Sequence, residues 1–283
     1  MIRKPFFACV LLALLAAGPA AAQTLDKVRK TGSIALGYIE GGAPFSYADG
    51  SGEPQGYSVA LCRAVAEGIA AQLKRGLKIR WVKLTIQNRI EAVRKGEVDL
   101  ECSTTTWTLS RQSLVDFSLV TFVDGGSLLV GAKSDIGQLK DLEGKRIAVI
   151  TGTTTDKALR EALERRLVKA EIVSIKTRGE GLALLGQGKA DALASDRTAL
   201  IGLAMKDAAA RGRYKLLDQD FSIEQYALML PRGDADFRLA VNRVLARVYR
   251  SGEIEKIYGR WLGPLGPPSL LLSATYFIQS IAE

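Results

Sequence analysis

Residues 98–118 read VDLECSTTTWTLSRQSLVDFS. Val98, Leu100 and Cys102 alternate with two acidic residues, which is the period of a β-strand. The threonines that follow offer side-chain oxygens and backbone N–H groups at the start of a helix. Arg111 lies a little over one helical turn beyond Thr106 and can add two hydrogen bonds to the same anion. The segment predicts a strand that runs into a carboxylate site; an ordinary capped helix with a solvated arginine is the alternative.

Strand and helix patterns alternate along the rest of the chain. We predict strands at 33–39, 78–84, 98–102, 127–130, 146–150, 171–175 and 190–195, and helices at 57–73, 88–95, 156–167, 179–187, 234–251 and 253–262. Such alternation predicts an α/β fold whose mostly parallel sheets are covered by helices on both faces. The pattern restarts after Val120, and residues 94–100 and 187–193 are similar to each other, which favours two lobes.

The first 22 residues have the features of a secretory signal peptide. Arg3 and Lys4 precede an apolar run, and three alanines end the segment at Ala22. No later run approaches the roughly 18 to 20 apolar residues of a transmembrane helix. The formal net charge of +9 is spread without a basic tract, which argues against a nucleic-acid partner. We expect an exported, periplasmic protein.

Two cysteines lie beyond the signal peptide, and both sulfurs are expected to point inward. Cys62 shares a helix face with Leu61, Val65 and Ile69, and Cys102 shares the apolar face of its strand. In an oxidising compartment they could form a disulfide, while two separate buried thiols are the alternative.

The chain contains no histidine. This composition excludes Ser-His-Asp and Cys-His nucleophiles and every metal site built on histidine. We therefore expect no catalytic residues, no metal and no cofactor.

Polar side chains follow the predicted strands, at the sheet edge where α/β proteins bind ligands. They are Arg89 after the second strand, Thr104 and Thr106 after the third, Thr154 in the run 151–155, and Asp196 after the strand at 190–195. Arginines and N–H groups complement a carboxylate, and an aspartate complements an ammonium group. Their convergence predicts a site for a zwitterion. Taken singly, each threonine or aspartate is more often a cap or turn residue.

Several segments, in order along the chain, resemble the polar amino-acid-binding proteins of bacterial ABC importers (solute-binding protein family 3). They are Gly37 with APFSY at 43–47, GYS at 56–58, residues 98–118, GKRIAV at 144–149, GTTTD at 152–156 and SGEIEKIYGRW at 251–261. QNR at 87–89 and EC at 101–102 are similar to the glutamate/aspartate-binding branch.

The resemblance implies a type II periplasmic binding protein, a monomer with two crossover strands that delivers an amino acid to an ABC permease. Residues 23–123 with 225–283 would form one lobe, and 124–224 the other. Arg111 would hold the α-carboxylate with Thr104 and Thr106, and Asp196 and Thr154 the ammonium or neighbouring atoms.

Two departures from the glutamate/aspartate-binding branch affect the expected specificity. Ile39 and Ile86 stand where that branch has an arginine and a serine, so Arg89 is the one cation expected to face the ligand side chain. Glutamate or aspartate is favoured, with a less acidic or larger amino acid as the alternative. Other functions would be an enzyme on the same scaffold, such as a dehydratase or lytic transglycosylase using Glu40, or a ligand-sensing module.

Overall fold

The computed structural model describes residues 23–206 and 212–282, so the signal peptide predicted at 1–22 lies outside the described residues. The strands are β1 (Ser33–Ile39), β2 (Tyr47–Ala48), β3 (Pro54–Gln55), β4 (Lys78–Leu84), β5 (Leu100–Glu101), β6 (Asp116–Gly131), β7 (Arg146–Ile150), β8 (Glu171–Ile175), β9 (Ala192–Asp196), β10 (Tyr214–Leu216) and β11 (Ser222–Leu230). The α-helices are α1 (Gln23–Thr31), α2 (Tyr57–Gln72), α3 (Arg89–Arg94), α4 (Leu109–Gln112), α5 (Thr154–Arg165), α6 (Arg178–Gly186), α7 (Arg197–Lys206), α8 (Ala235–Arg250), α9 (Glu253–Trp261) and α10 (Leu270–Ile278).

Nine strands form one continuous sheet that is parallel towards both ends and antiparallel in the middle. In the first lobe β1 pairs in parallel with β4 and β5. In the second lobe β7 pairs in parallel with β8 and β9. The antiparallel strands β6 and β11 run between these ends, so the chain crosses from one lobe to the other twice. The α/β fold and its two crossover strands agree with the sequence prediction.

The crossover strand β6 is much longer than the sequence pattern indicated. We predicted a strand over 127–130, whereas β6 has 16 residues and begins at Asp116. It pairs with β11 from Asp116 to Gly126 and with β9 from Gly126 to Val130. Gly126 stands where the two crossover strands approach closely, because an added Cβ would lie 2.4 Å from the Ser222 hydroxyl. The apolar residues of β6 are buried on both faces, which removes the alternation that usually marks a strand.

An aromatic cluster fixes the crossover strands to the core of the first lobe. Phe122 on β6 and Tyr226 on β11 stack with their ring centroids 6.0 Å apart. Phe45 packs edge-on against both rings, and the Tyr57 hydroxyl donates to the carbonyl of Thr121 at 2.7 Å. The parts of β6 and β11 that carry Phe122 and Tyr226 therefore belong to a rigid core, since core side chains are close-packed.

The C-terminal segment packs on the same strands. Leu272 and Tyr276 of α10 are buried. The Gln279 side chain accepts from the backbone N–H of Val120 at 2.7 Å and donates to its carbonyl at 3.0 Å. The segment thus satisfies the backbone of β6 that β11 leaves unpaired at this point.

A disulfide joins Cys62 on α2 to Cys102, just after β5, with a Cα–Cα distance of 6.1 Å. That distance lies within the range that a disulfide requires. Both cysteines are fully buried in the core of the first lobe. The bond ties the main helix of this lobe to the strand that leads into Thr104 and Thr106.

We expect the Cys62→Ser/Cys102→Ser double variant to lose about 2 to 4 kcal/mol of unfolding free energy, because the bond closes a loop of 40 residues in the unfolded chain. Urea titration with and without dithiothreitol measures it. Reductant should destabilise the parent and leave the double variant unchanged. Equal stability of parent and variant under oxidising conditions would contradict a bonded pair.

Candidate ligand-binding cleft

A small cavity lies between the lobes at the carboxyl ends of their strands. Its lining residues are Ile86, Arg89, Thr104 and Thr106 from the first lobe, and Ile150, Thr153, Thr154, Thr155, Arg178, Ala194, Ser195 and Asp196 from the second. Its volume of about 20 Å³ is room for about one water molecule. An amino acid can therefore enter only if the lobes separate.

Arg89 is a buried cation with spare hydrogen-bonding capacity. Arg89 is the first residue of α3 and follows a turn in which Thr85 and Asn88 make two hydrogen bonds with each other. Asn88 Oδ1 accepts from the N–H of Thr85, and the N–H of Asn88 donates to the Thr85 hydroxyl. Its Nη1 makes only long contacts, 3.5 Å to Ser103 Oγ and 3.4 Å to the carbonyl of Thr104. Its Nε has no partner among the described residues. A buried N–H without an acceptor typically costs about 1 to 3 kcal/mol, so an arriving oxygen would be stabilised here.

Glu101 supplies a negative charge that acts on Arg89. It is fully buried and accepts hydrogen bonds from Ser103 Oγ and, at 2.9 Å, from Thr105 Oγ1. Burial lowers the pKa of Arg89, and the Glu101 carboxylate offsets part of that effect. Burial raises the pKa of Glu101, against the opposing influence of Arg89. The alternation in the sequence indicates only that Glu101 lies opposite the apolar face of its strand.

Arg178 is a second cation in the cavity, and it was not among the residues predicted from the sequence. Its Nη2 lies 2.9 Å from Asp196 Oδ2, and its Nε donates to Ser195 Oγ at 2.7 Å. Asp196 also accepts from Thr155 Oγ1 at 2.9 Å. About a tenth of each side chain in this ion pair is exposed. The cavity walls therefore hold a second cation besides Arg89, which was the one cation expected to face a ligand side chain.

The sequence does contain a signal for Arg178. Ligands sit beyond strand ends, and the strand predicted at 171–175 leads through Thr177 to Arg178. Thr177 caps α6 by accepting from the N–H of Glu180 at 3.2 Å. This cap fixes Arg178 as the first helical residue, next to the end of β9.

Thr106 and Thr154 meet across the cleft. Their hydroxyl oxygens lie 3.1 Å apart, and each lies 2.7 Å from the same oxygen, Glu224 Oε2. Ser222 donates to the other carboxylate oxygen at 2.8 Å. Glu224 is 2% exposed and belongs to the crossover strand β11. The strand-end rule does not find Glu224, because it concerns the carboxyl ends of parallel strands, whereas Glu224 is the third residue of the antiparallel strand β11.

Arg111 stands behind the cavity wall. Thr108 caps the short helix α4, and Arg111 Nη1 donates to the carbonyl of Thr106 at 2.9 Å. Burial, followed by the nearby positive charge of Arg89, lowers the pKa of Arg111 to about 10. The side chain does not line the cavity in this closed arrangement. Of the six residues predicted to bind ligand, the structure places the other five, Arg89, Thr104, Thr106, Thr154 and Asp196, in its walls.

The cavity gathers groups that can bind a charged ligand. Two guanidinium groups, one carboxylate and several hydroxyls converge on the cavity. Glu40 lies outside its walls, about half exposed, and forms an ion pair with Lys83. Among the described residues no group of histidine, cysteine, aspartate or glutamate could hold a metal ion. The helices that the structure describes include none long and apolar enough to cross a membrane.

Two lobes joined by two crossover strands, with a polar cleft between them, define the type II periplasmic binding proteins. The chain belongs to the bacterial extracellular solute-binding proteins, family 3, which it matches over residues 34–264. This finding confirms the resemblance seen in the sequence.

Individual relatives agree with this family. The chain is 34% identical to the glutamate/aspartate import solute-binding protein of Escherichia coli K12 over 278 residues, which cover 95% of this chain and 92% of the relative. It is 34% identical to the L-glutamate/L-aspartate-binding protein of Pseudomonas aeruginosa, covering 96% and 92% of the two chains. A solved ancestral amino-acid-binding protein, described as a precursor of cyclohexadienyl dehydratase, has 27% identity and a TM-score of 0.72, covering 84% and 98%.

We expect Arg178→Met to destabilise the protein by about 3 to 5 kcal/mol, because it leaves the buried Asp196 carboxylate without its cation. The Arg178→Met/Asp196→Asn double variant should recover most of that loss. Arg94→Met is the control, since Arg94 pairs with Glu91 at a half-exposed site where ion pairs contribute about 0 to 1 kcal/mol. Urea unfolding measures all three. Additive effects of the two cleft substitutions would contradict the pair.

Proposed function

We propose that the protein captures an amino acid in this cleft, with glutamate or aspartate favoured, and delivers it to a membrane-embedded ABC permease. The observation that carries the proposal is the set of buried charges in the cavity: Arg89 with an open donor, and the Arg178–Asp196 ion pair opposite it. An acidic amino acid has two carboxylates to pair with guanidinium groups and an ammonium group to pair with the aspartate. The names of the Escherichia coli and Pseudomonas aeruginosa relatives support the same ligand class.

Ligand contacts are proposed for both lobes. Residues 23–123 with 225–283 form the first lobe and 124–224 the second. Arg111 and Thr104 hold the α-carboxylate, aided by the N-terminus of α5, whose backbone N–H groups attract anions. Thr106 also contributes to the α-carboxylate site, and Asp196 and Thr154 hold the ammonium group or neighbouring atoms. Arg89 and Arg178 share the side-chain carboxylate.

Arg178 also affects the ligand specificity expected from the two departures from the glutamate/aspartate-binding branch. Ile39 and Ile86 replace polar residues that would help to hold a side-chain carboxylate. Arg178 returns a cation to the cavity, and hydrogen bonds to charged groups typically contribute about 1.5 to 3 kcal/mol each. This favours an acidic side chain over the larger or less acidic ligand that Ile39 and Ile86 alone would suggest.

We further propose that the mature protein is a periplasmic monomer, exported by the signal peptide at 1–22, and that it is not an enzyme. The ancestral neighbour described as a dehydratase precursor makes catalysis on this scaffold the second candidate. Against it, Glu40 is paired with Lys83 away from the cavity. The carboxylates that do reach the cleft region, Asp196 and Glu224, already accept hydrogen bonds from neighbouring side chains.

Binding itself decides the proposal. Native mass spectrometry of the purified protein should detect a retained amino acid, and a thermal-shift panel of the twenty amino acids should follow its removal. We expect glutamate or aspartate to stabilise the parent by about 2.7 kcal/mol at a hundredfold excess over Kd. Arg89→Met should lose that stabilisation, and the surface control Arg94→Met should keep it.

Stabilisation by lysine or arginine, with none by acidic or amide side chains, would show that Arg89 and Arg178 do not read a carboxylate. Slow conversion of the added ligand, followed by NMR, would favour the enzyme instead.

A further inference from the structure

The C-terminal helix α10 has apolar side chains on both of its faces. Leu272 and Tyr276 are buried in the core of the first lobe. On the opposite face Leu270, Phe277 and Ile278 are 87%, 83% and 75% exposed. The sequence of the helix, LLLSATYFI, contains no charged residue. A helix that is apolar on all sides is normally buried on all sides, so the outer face of α10 is exposed where its composition favours burial.

Exposed apolar side chains are concentrated in this segment. Of the twelve large hydrophobic side chains that are exposed among the described residues, five lie between Leu270 and Ile281, and the other seven are spread over residues 107–239. Single exposed apolar residues are normal, whereas a contiguous group marks a site of contact with a protein or a membrane. The segment also lies beyond residues 34–264, the part of the chain that matches the solute-binding family.

A row of arginines runs along the helix next to α10. Arg243, Arg247 and Arg250 follow one another on α8 at intervals of four and three residues, and all three are exposed. They therefore share one face of α8. Arg250 Nη1 donates to the carbonyl of Ile281, and Arg250 and Phe277 line the same groove. The arginine row thus adjoins the exposed apolar face at Arg250.

We propose that the outer face of α10 and the arginine row form a docking surface for an anionic phospholipid bilayer. Helices that lie in a membrane interface combine exposed Phe and Leu side chains with neighbouring Lys and Arg. The apolar side chains of α10 enter the boundary between head groups and acyl chains. The arginines pair with lipid phosphates, which guanidinium groups bind through two hydrogen bonds.

Charge favours a lipid surface over a second copy of the chain. In a symmetric dimer the same patch faces itself, which would bring Arg247 and Arg250 of both copies together. Like charges repel each other, whereas lipid phosphates attract both arginines. Among the described residues, Glu255 is the one carboxylate that lines the groove beside Phe277, so the positive charges of the row outnumber it.

The proposed docking surface leaves the cleft free. Neither α10 nor the arginine row contributes to the cavity walls. A protein that is docked on a bilayer can therefore still take up its ligand, and it searches for a membrane-embedded permease in two dimensions.

Vesicle flotation of the mature protein, residues 23–283, tests the docking surface without any amino acid present. Anionic vesicles contain phosphatidylethanolamine with phosphatidylglycerol, and neutral vesicles contain phosphatidylcholine alone. We expect the parent to float with the anionic vesicles only, and added salt to weaken this binding, since salt screens exposed charges. Phe277→Ser/Ile278→Ser and Arg247→Gln/Arg250→Gln should each lower the partition coefficient by about tenfold.

The matched controls lie in the second lobe. Leu167→Ser removes a side chain that is 89% exposed, and Arg165→Gln/Lys169→Gln removes two exposed cations. Both should float as the parent does. If Phe277→Ser/Ile278→Ser does not unfold cooperatively in urea, the arginine double variant decides, because it leaves the apolar face intact.

Three outcomes would overturn the proposal. The first is that the parent floats with neither kind of vesicle, or with both equally. The second is that the two double variants on α10 and α8 float as well as the parent. The third is a parent dimer in analytical ultracentrifugation that Phe277→Ser/Ile278→Ser dissociates, because a second copy would then cover the apolar face.

Discussion

The cleft depends on burying guanidinium groups and carboxylates together. Removing an ion from water costs several kcal/mol, and only close partners of opposite charge offset that cost. Arg178 and Asp196 satisfy each other at 2.9 Å within the second lobe. Arg89 is less well satisfied, since its contacts are long and its Nε lacks a partner among the described residues. An incoming carboxylate would accept the hydrogen bonds that Arg89 of the first lobe leaves unmade.

The crossover strands connect this chemistry to the fold. Phe122 and Tyr226 anchor β6 and β11 in the aromatic core of the first lobe, and Gln279 from the C-terminal segment holds β6 at Val120. Two residues before Tyr226 on β11, Glu224 contacts the hydroxyls of Thr106 and Thr154. The strand β11 therefore carries both an aromatic residue of the core and a carboxylate that contacts both sides of the cleft.

Sequence reasoning succeeds most where local rules apply. Strand ends predict where polar groups gather, and this rule alone is enough to bring Arg89, Thr104, Thr106, Thr154 and Asp196 to one cavity. It fails for Glu224, because that residue lies near the amino-terminal end of an antiparallel strand and not at the carboxyl end of a parallel one. The length of β6 escapes prediction for a related reason: a strand buried on both faces has no alternation to count. The Cys62–Cys102 bond stays open at the sequence level, since spacing along the chain does not give the distance between two sulfurs.

The central claim, that the two lobes close on an acidic amino acid, is tested most directly by small-angle X-ray scattering of the mature protein, alone and with saturating glutamate or lysine. Without ligand the profile should indicate an extended particle, because a cavity of about 20 Å³ cannot admit an amino acid unless the lobes part. With glutamate the particle should become more compact, because the lobes close around the ligand. Lysine should leave the extended profile unchanged. Identical profiles in all three conditions, at ligand concentrations that calorimetry shows to be saturating, would contradict the account.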